Sequence, residues 1–227
     1  MSHAILTHGG AASPRALSDG CDAAARAAQA VLQAGGDAVA AALAATALLE
    51  DDPRYNAGTG SNLRLDGRLI EMDASVMSSD GRFGAVACIQ RVKNPVLVAA
   101  RVRQTPHLML AGDGATAFAR RLGFDEYDPM TDGARRKYER AVAELRGTGD
   151  GAYADDAAPW RDIVLEKVWN LGGEPWGARA GSESLGSQRS RGKLPEDEGC
   201  DTVGAVVRDA EGRFAATAST GGTLYML

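Results

Sequence analysis

Toward the end of the 227-residue chain, Thr202 stands between Asp201 and an apolar run in the stretch EGCDTVGAVVRD. One reading is a loop that ends where a strand begins. The other is a latent nucleophile: if the 201–202 bond is cut, Thr202 has a hydroxyl and a free α-amine in one residue. Such an amine has a reference pKa of about 7.7 to 8.0, suited to general-base work near neutral pH, and it takes the part played by histidine in other nucleophile systems. The preceding stretch, 172–199, holds little beyond Gly, Ser and charge apart from Trp176 and two leucines. It has too little apolar surface to offset ordering entropy and reads as a flexible linker, able to distort a scissile peptide and then to leave.

Other chemistries are poorly signalled. His3, His8 and His107 pair with no Ser or Cys at a motif spacing, and His8 reads as a strand-end residue packed under a glycine turn. Cys21, Cys88 and Cys200 are an odd number at wide spacing without a CxxC pair, so neither a disulfide framework nor a zinc site is indicated. Cys200 precedes Thr202 by two residues but has no histidine beside it. GxGxxG, Walker and HExxH patterns are absent from the sequence. Glu71 and Asp73 alternate along a strand, a pattern that more often gives a solvated or ion-paired edge than a catalytic carboxylate pair.

The elements that must position Thr202 follow from the patterning. HAILTH reads as a strand and GGAAS as a turn; helices follow over 18–36 and, capped by Asp37, up to Pro53. Residues 62–79 alternate with period two and predict two strands joined at LDGR, with a third strand at GAVACIQRV. A helix begun at Pro95, a short strand at HLMLAG and helices over DGATAFARRLG, TDGARRKYERAVAEL and PWRDIVLEKVWNL come next. The chain then predicts a hairpin, TVGAVVRD and RFAATAST, about an AEGR turn. Helices and antiparallel strands in separate blocks indicate an α+β fold, and the length suits a single domain, 1–227. With 25 basic against 30 acidic residues the net charge of −5 argues against nucleic acid as a partner. The longest apolar runs are about a dozen residues, short of the roughly 20 that span a bilayer, and the N-terminus lacks a basic leader. A cytoplasmic protein with no membrane partner is expected.

Six ordered motifs carry a resemblance over nearly the whole chain. HGGAA at 8–12, LEDDPRYNAGTGS at 49–61, EMDASVM at 71–77, GAVACIQRVKNPVLVAARV at 84–102, TPHLMLAGDGA at 105–115, and DTVGAVVRD with ASTGG resemble the plant-type L-asparaginase or isoaspartyl peptidase family of N-terminal nucleophile hydrolases. The resemblance implies a four-layer αββα sandwich and a proenzyme that cuts itself before a threonine, giving an α-subunit, 1–201, and a β-subunit that starts at Thr202. It implies hydrolysis of asparagine or β-aspartyl dipeptides through an aspartyl-threonine ester, no organic cofactor, and a homodimer of αβ units.

By the same resemblance Thr202 is the nucleophile, Thr220 the second active-site threonine, and Asn56 the amide that positions the centre. Gly9 and Gly10 form a glycine loop near the scissile bond at Asp201. Main-chain carbonyls of Leu49, Glu50, Asp52, Tyr55, Ala57 and Thr59 would hold a structural sodium ion. Read without the resemblance, Thr220 is equally a strand-end hydroxyl bonded to backbone, and Asn56 a turn residue.

The family pattern continues after STGG with an Arg-Val-Gly-Asp type segment that binds the substrate's α-carboxylate and α-amine, then with an oxyanion-hole threonine and glycine. The sequence stops at TLYML. Substrate-binding positions are therefore expected beyond Leu227, and the chain is read as C-terminally truncated and impaired. Two alternatives stand beside this reading: an inactive relative kept for binding or assembly, and a glycosylasparaginase-like hydrolase.

Overall fold

The computed structural model describes residues 2–11, 13–151, 153, 157 and 202–223. Strand β1 (Ala4–His8) leads through a single 3₁₀ turn into helices α1 (Ser18–Gln33) and α2 (Ala38–Asp51). Strands β2 (Met72–Ser78) and β3 (Phe83–Ile89) follow, then α3 (Pro95–Val102), β4 (Met109–Ala111), α4 (Gly112–Arg121) and α5 (Asp132–Leu145). Strands β5 (Thr202–Arg208) and β6 (Phe214–Thr220) close the described chain. The six strands form one mixed sheet in the order β1-β5-β6-β2-β3-β4, antiparallel except for the β3–β4 pair. The fold is thus α+β.

Why β5 and β6 sit at the centre is visible in their composition. Val203, Ala205 and Val207 alternate on one face of β5 and are fully buried, and Ala215, Thr217 and Ser219 do the same on β6. This face meets α2, whose Ala38, Ala41, Ala42, Ala45 and Leu49 let the helix come close to the strands. The helix is apolar nearly all round, as its sequence predicts, and its start is fixed by the Asp37 carboxylate accepting the Ala40 N–H at 2.8 Å. Two polar contacts tie it to β6: Thr46 Oγ1 lies 2.7 Å from Thr217 Oγ1, and the Glu50 carboxyl reaches Ser219. A second core, of Met72, Val76, Val86, Ile89, Val96 and Val102 with Ala115 and Ala119, joins α3 and α4 to β2 and β3. No helix among the described residues is long and apolar enough to cross a membrane.

The opposite face of the sheet carries a different row. Leu6, Val206, Ala216, Met77 and Phe83 are register partners from β1 across to β3. Leu6, Val206 and Met77 are 62%, 44% and 52% exposed.

One predicted hairpin does not form. Residues 62–71 make no strand, and β2 begins only at Met72. The LDGR segment closes on itself instead: Arg64 N–H donates to Leu69 O at 2.8 Å, Gly67 N–H donates to Arg64 O at 2.9 Å, and the Asp66 carboxylate accepts the Arg68 and Leu69 amides. The polar positions of the period-two pattern are taken up by tertiary anchors, Asn62 on Gly222 and Arg64 on Glu71, and not by a ladder. The helix expected at PWRDIVLEKVWNL and the linker 172–199 lie outside the described residues.

Candidate active site

Thr202 is the first residue of β5 and pairs in register with Thr220, the last residue of β6. Thr220 pairs in turn with Asp73 of β2, so three oxygen-bearing side chains stand in one row across the centre of the sheet. Alternation fixes their side. Since Val203 and Ser219 face α2, Thr202 and Thr220 face the opposite surface, which no helix among the described residues covers. Asp73 lies where the β2–β3 register shifts between Met72 and Ala74, and its carboxylate accepts the Cys88 N–H at 2.8 Å. That bond holds Cys88 in a left-handed conformation, φ 51°, at the end of β3. Burial pushes the Cys88 thiol up, with Glu71 and Asp73 adding to it.

The strand end after Thr220 is clamped by the segment 56–62. Asn56 Nδ2 donates to Gly222 O at 2.7 Å, Asn56 O accepts the Gly221 N–H at 2.9 Å, and Asn56 Oδ1 accepts the Asn62 N–H at 2.9 Å. Asn62 Nδ2 adds a second bond to Gly222 O at 2.8 Å. A Cβ on Gly221 would run into Asn56 Oδ1 and the Ser61 backbone, so only glycine lets the two segments lie this close. Thr220 Oγ1 accepts the Gly222 N–H at 3.1 Å, which fixes the hydroxyl within the same turn.

On the other flank, β1 pairs with β5 as far as His8 opposite Gly204. Continuing the register by two residues sets Gly10 opposite Thr202. Gly10 has φ 101°, closed to most side chains, whereas Gly9 is buried without space for a Cβ. The His8 imidazole lies over Gly204: a Cβ there would stand 2.5 Å from His8 Nε2.

The loop between α2 and Ser61 is the expected cation site. Helix α2 ends at Asp51, so its last carbonyls lack intrahelical partners and present the negative end of the helix dipole. Glu50 O accepts the Thr59 N–H at 2.8 Å and Asp52 O the Tyr55 N–H at 3.1 Å, each keeping one lone pair. Gly58 and Gly60 have φ 54° and 96°, and carbonyls crowd beside both. A Cβ on Gly58 would meet Glu50 O at 2.5 Å and Lys93 O at 2.9 Å; one on Gly60 would meet Pro53 O at 2.5 Å and Tyr55 O at 2.9 Å. An all-oxygen donor set at a helix C-terminus fits a hard cation. Arg54 staples the loop outward, to both oxygens of Asp19 at 3.0 Å and to Asp52.

Glu50 also acts through its side chain. Its Oε1 accepts the Ser219 hydroxyl at 2.6 Å and the Val96 N–H at 2.9 Å, in a fully buried position. Burial pushes this carboxyl up to about 8, against the pull of Ser219, Val96 and Asn94.

The structure therefore brings together Thr202, Thr220, Asn56 and the Gly9–Gly10 turn, with the 49–59 loop adjoining through Asn56. Asp201 lies outside the described residues. Glu71 is no partner of Asp73: it pairs with Arg64 at 2.8 Å and accepts from Gln90 at 3.1 Å, the ion-paired reading. Sequence reasoning passed over three contributors. Asn62 and Ser61 read as the tail of a glycine-rich loop, and the Glu50 carboxyl reads as part of an acidic helix end. Only the burial of α2 on all sides hints that Glu50 faces inward.

The family profile described as Asparaginase matches residues 1–226, and the chain belongs to that family. It is 48% identical to a plant-type L-asparaginase of Pyrococcus furiosus over 117 residues, which is 51% of this chain and 38% of that protein. It is 34% identical to the isoaspartyl peptidase/L-asparaginase of Danio rerio over 236 residues, 99% of this chain and 61% of that protein. The Rattus norvegicus isoaspartyl peptidase/L-asparaginase is 34% identical over 230 residues, 98% of this chain and 56% of that protein. The chain thus spans 61% or less of the length of these relatives.

Proposed function

We propose that this chain supplies the nucleophile half of a self-processing amidohydrolase acting on L-asparagine and β-aspartyl dipeptides. The observation that carries the reading is the register row Thr202–Thr220–Asp73, flanked by the Asn56–Gly222 clamp. In maturation Thr202 Oγ adds to the Asp201 carbonyl carbon. The peptide C–N bond breaks as the ester forms, and the hydroxyl proton passes to the departing Thr202 nitrogen. Water then hydrolyses the ester, leaving a carboxylate at Asp201 and a free amine at Thr202. In turnover that amine takes the hydroxyl proton while Oγ attacks the substrate's side-chain carbonyl. Ammonia or an amino acid leaves with the proton, and water releases aspartate from the ester.

The same reading makes 1–201 the α-subunit and starts the β-subunit at Thr202. A sodium ion held by the carbonyls of Leu49, Glu50, Asp52, Tyr55, Ala57 and Thr59 would brace the loop that carries Asn56; it supplies charge to the loop and takes no part in bond making. The exposed row of Leu6, Val206 and Met77 supports a second sheet stacked on that face, giving four αββα layers, with αβ units pairing as a homodimer.

The test is a denaturing gel of full-length protein with N-terminal sequencing of the smaller fragment. The expected sequence begins TVGAVV, and Thr202→Ala stays uncut. Purified protein is then assayed on asparagine, β-aspartyl-leucine and glycosylated asparagine. Hydrolysis of the glycosylated substrate alone would sink the substrate assignment, and an uncut parent would sink the nucleophile.

A further inference from the structure

We infer that Tyr55 is a positioning residue for cleavage at Thr202: its ring is the stop against which the Gly9 backbone rests, and its hydroxyl latches that stop in place. The inference rests on the reading of Thr202 as the nucleophile.

Tyr55 is 1% exposed and is held from three directions. A Cβ on Gly9 would stand 2.6 Å from Tyr55 Cε1, with Ser13 Oγ at 3.1 Å and Cys21 Sγ at 3.3 Å. From the other side a Cβ on Gly20 of α1 would meet Tyr55 Cε2 at 2.8 Å and Cζ at 2.9 Å. The ring therefore lies between two backbones, each of which must be glycine at the contact. Its hydroxyl donates to Leu17 O, with Cys21 Sγ 3.9 Å away, which fixes the ring along its own plane.

The next residue, Asn56, holds the opposite flank through Gly221 and Gly222. One dipeptide thus touches both sides of Thr202. Tyr55 meets Gly9, next to the Gly10 that falls opposite Thr202, and Asn56 meets the turn after Thr220, the register partner of Thr202. Close-packed interiors transmit displacement instead of absorbing it. A shift of the 52–60 loop must move the glycine turn and the Thr220 turn together, so the loop sets the spacing between the two segments that flank Thr202. A misplacement of 1 Å can cost on the order of 100-fold in rate.

The experiment measures the rate of fragment appearance in full-length protein carrying Gly9→Ala, Tyr55→Leu, the two combined, and Tyr55→Phe, with a thermal melt of each. Gly9→Ala sets a methyl group against the ring and is expected to slow cleavage about tenfold or more. If the ring is the stop, Tyr55→Leu opens room for that methyl, and the double variant cleaves several-fold faster than Gly9→Ala alone. A double variant as slow as Gly9→Ala, or slower, overturns the inference, because residues whose contact sets the rate couple and their losses do not add; a cleavage rate that recovers only in step with the melting temperature overturns it too. Should Tyr55→Leu not fold, the decision passes to Tyr55→Phe, which keeps the ring and loses the latch. It is expected to cleave about fivefold slower, the equivalent of one hydrogen bond, and a parental rate overturns the latch. A parent that never cleaves removes the reading of Thr202 and this inference with it. A parent that cleaves without suppression in the double variant removes the inference alone.

Discussion

At the level of single residues, the candidate site is a set of glycines and amides that allow backbones to touch. Asn56 illustrates how the chemistry is held. Its amide must donate to Gly222 O and accept from Asn62 N–H at once, which an aspartate cannot do. Asn56→Asp is expected to leave Gly222 O facing a carboxylate and to cost about 1 to 3 kcal/mol of stability. It should also slow cleavage before Thr202, and a thermal melt with a gel time course checks both. Gly204→Ala makes the complementary point on the other flank, since its methyl would press on Thr217 O and the His8 ring. Overpacking of this kind costs about 1 to 3 kcal/mol, read as a lower denaturant midpoint at unchanged slope. The added His8→Ala substitution should return part of that loss by vacating one of the two contacts. Thr202 could be singled out in the sequence as a hydroxyl between a polar stretch and an apolar strand, whereas Thr220, Asn56, Gly9 and Gly10 were singled out through the resemblance of their motifs to a known family. Glu50, Ser61, Asn62 and the Tyr55–Gly9 contact could not, because their partners lie far along the chain and nothing in residue type announces them.

Among the elements, α2 and the β5–β6 hairpin form the frame on which the threonine row is built, and Asp209 is the bolt between them. Buried at the hairpin turn, it accepts the Ala38 N–H at the start of α2 at 3.2 Å, Arg213 Nε at 2.7 Å, and the Glu211 and Arg213 amides. Burial pushes its carboxyl up, but the Arg213 guanidinium and the amides outweigh this, and the net effect is a carboxyl held below its ordinary value. A depressed folded-state pKa means that the unfolded chain takes up the proton first. The stabilisation is therefore complete above the unfolded value of about 3.9 and is lost as pH falls through the lower folded value. Asp209→Asn keeps one of the two acceptor oxygens, sets an amide donor against donors the other had accepted, and removes the charge, so it lowers stability at both pH values. The expected outcome is a smaller drop in urea midpoint between pH 6 and pH 3 than in the parent; an equal drop would show that Asp209 does not contribute to acid sensitivity. The helix start at Asp37 was legible because the cap is local, three residues from its donor. The Asp209 bond spans 171 residues and was not. The same distinction explains the missing strand at 62–64, where Asn62 and Arg64 are held by tertiary anchors and not by pairing with a neighbouring strand.

For the whole molecule, the asymmetry of the sheet matters most. Among the described residues one face is covered by α1 to α4, while the other carries Leu6, Val206, Met77 and Phe214 at 62%, 44%, 52% and 49% exposure. A single apolar residue on a surface needs no explanation, but the register row Leu6, Val206, Ala216, Met77 and Phe83 across five strands, with Phe214 beside it on β6, does. The alternation that places Thr202 and Thr220 on this face also places these residues there, so any cover over the row would border the candidate site. The four-layer arrangement proposed above makes the cover a second sheet and makes Met77 an inter-sheet residue. Met77→Glu in the full-length protein then buries a carboxylate with no partner, at a cost of about 3 kcal/mol or more. If the face is open to water, the same substitution lies within about 0.5 kcal/mol of the parent. Thermal unfolding of the full-length variant separates the two values. Arg82→Glu, at a 64% exposed side chain in the β2–β3 turn, provides a control for negative charge in the same hairpin, and it also removes a surface ion pair with Asp80 worth about 0 to 1 kcal/mol. A large loss at Met77 with a small one at Arg82 is the result that supports a stacked second sheet, and equal small losses would leave the sheet two-layered.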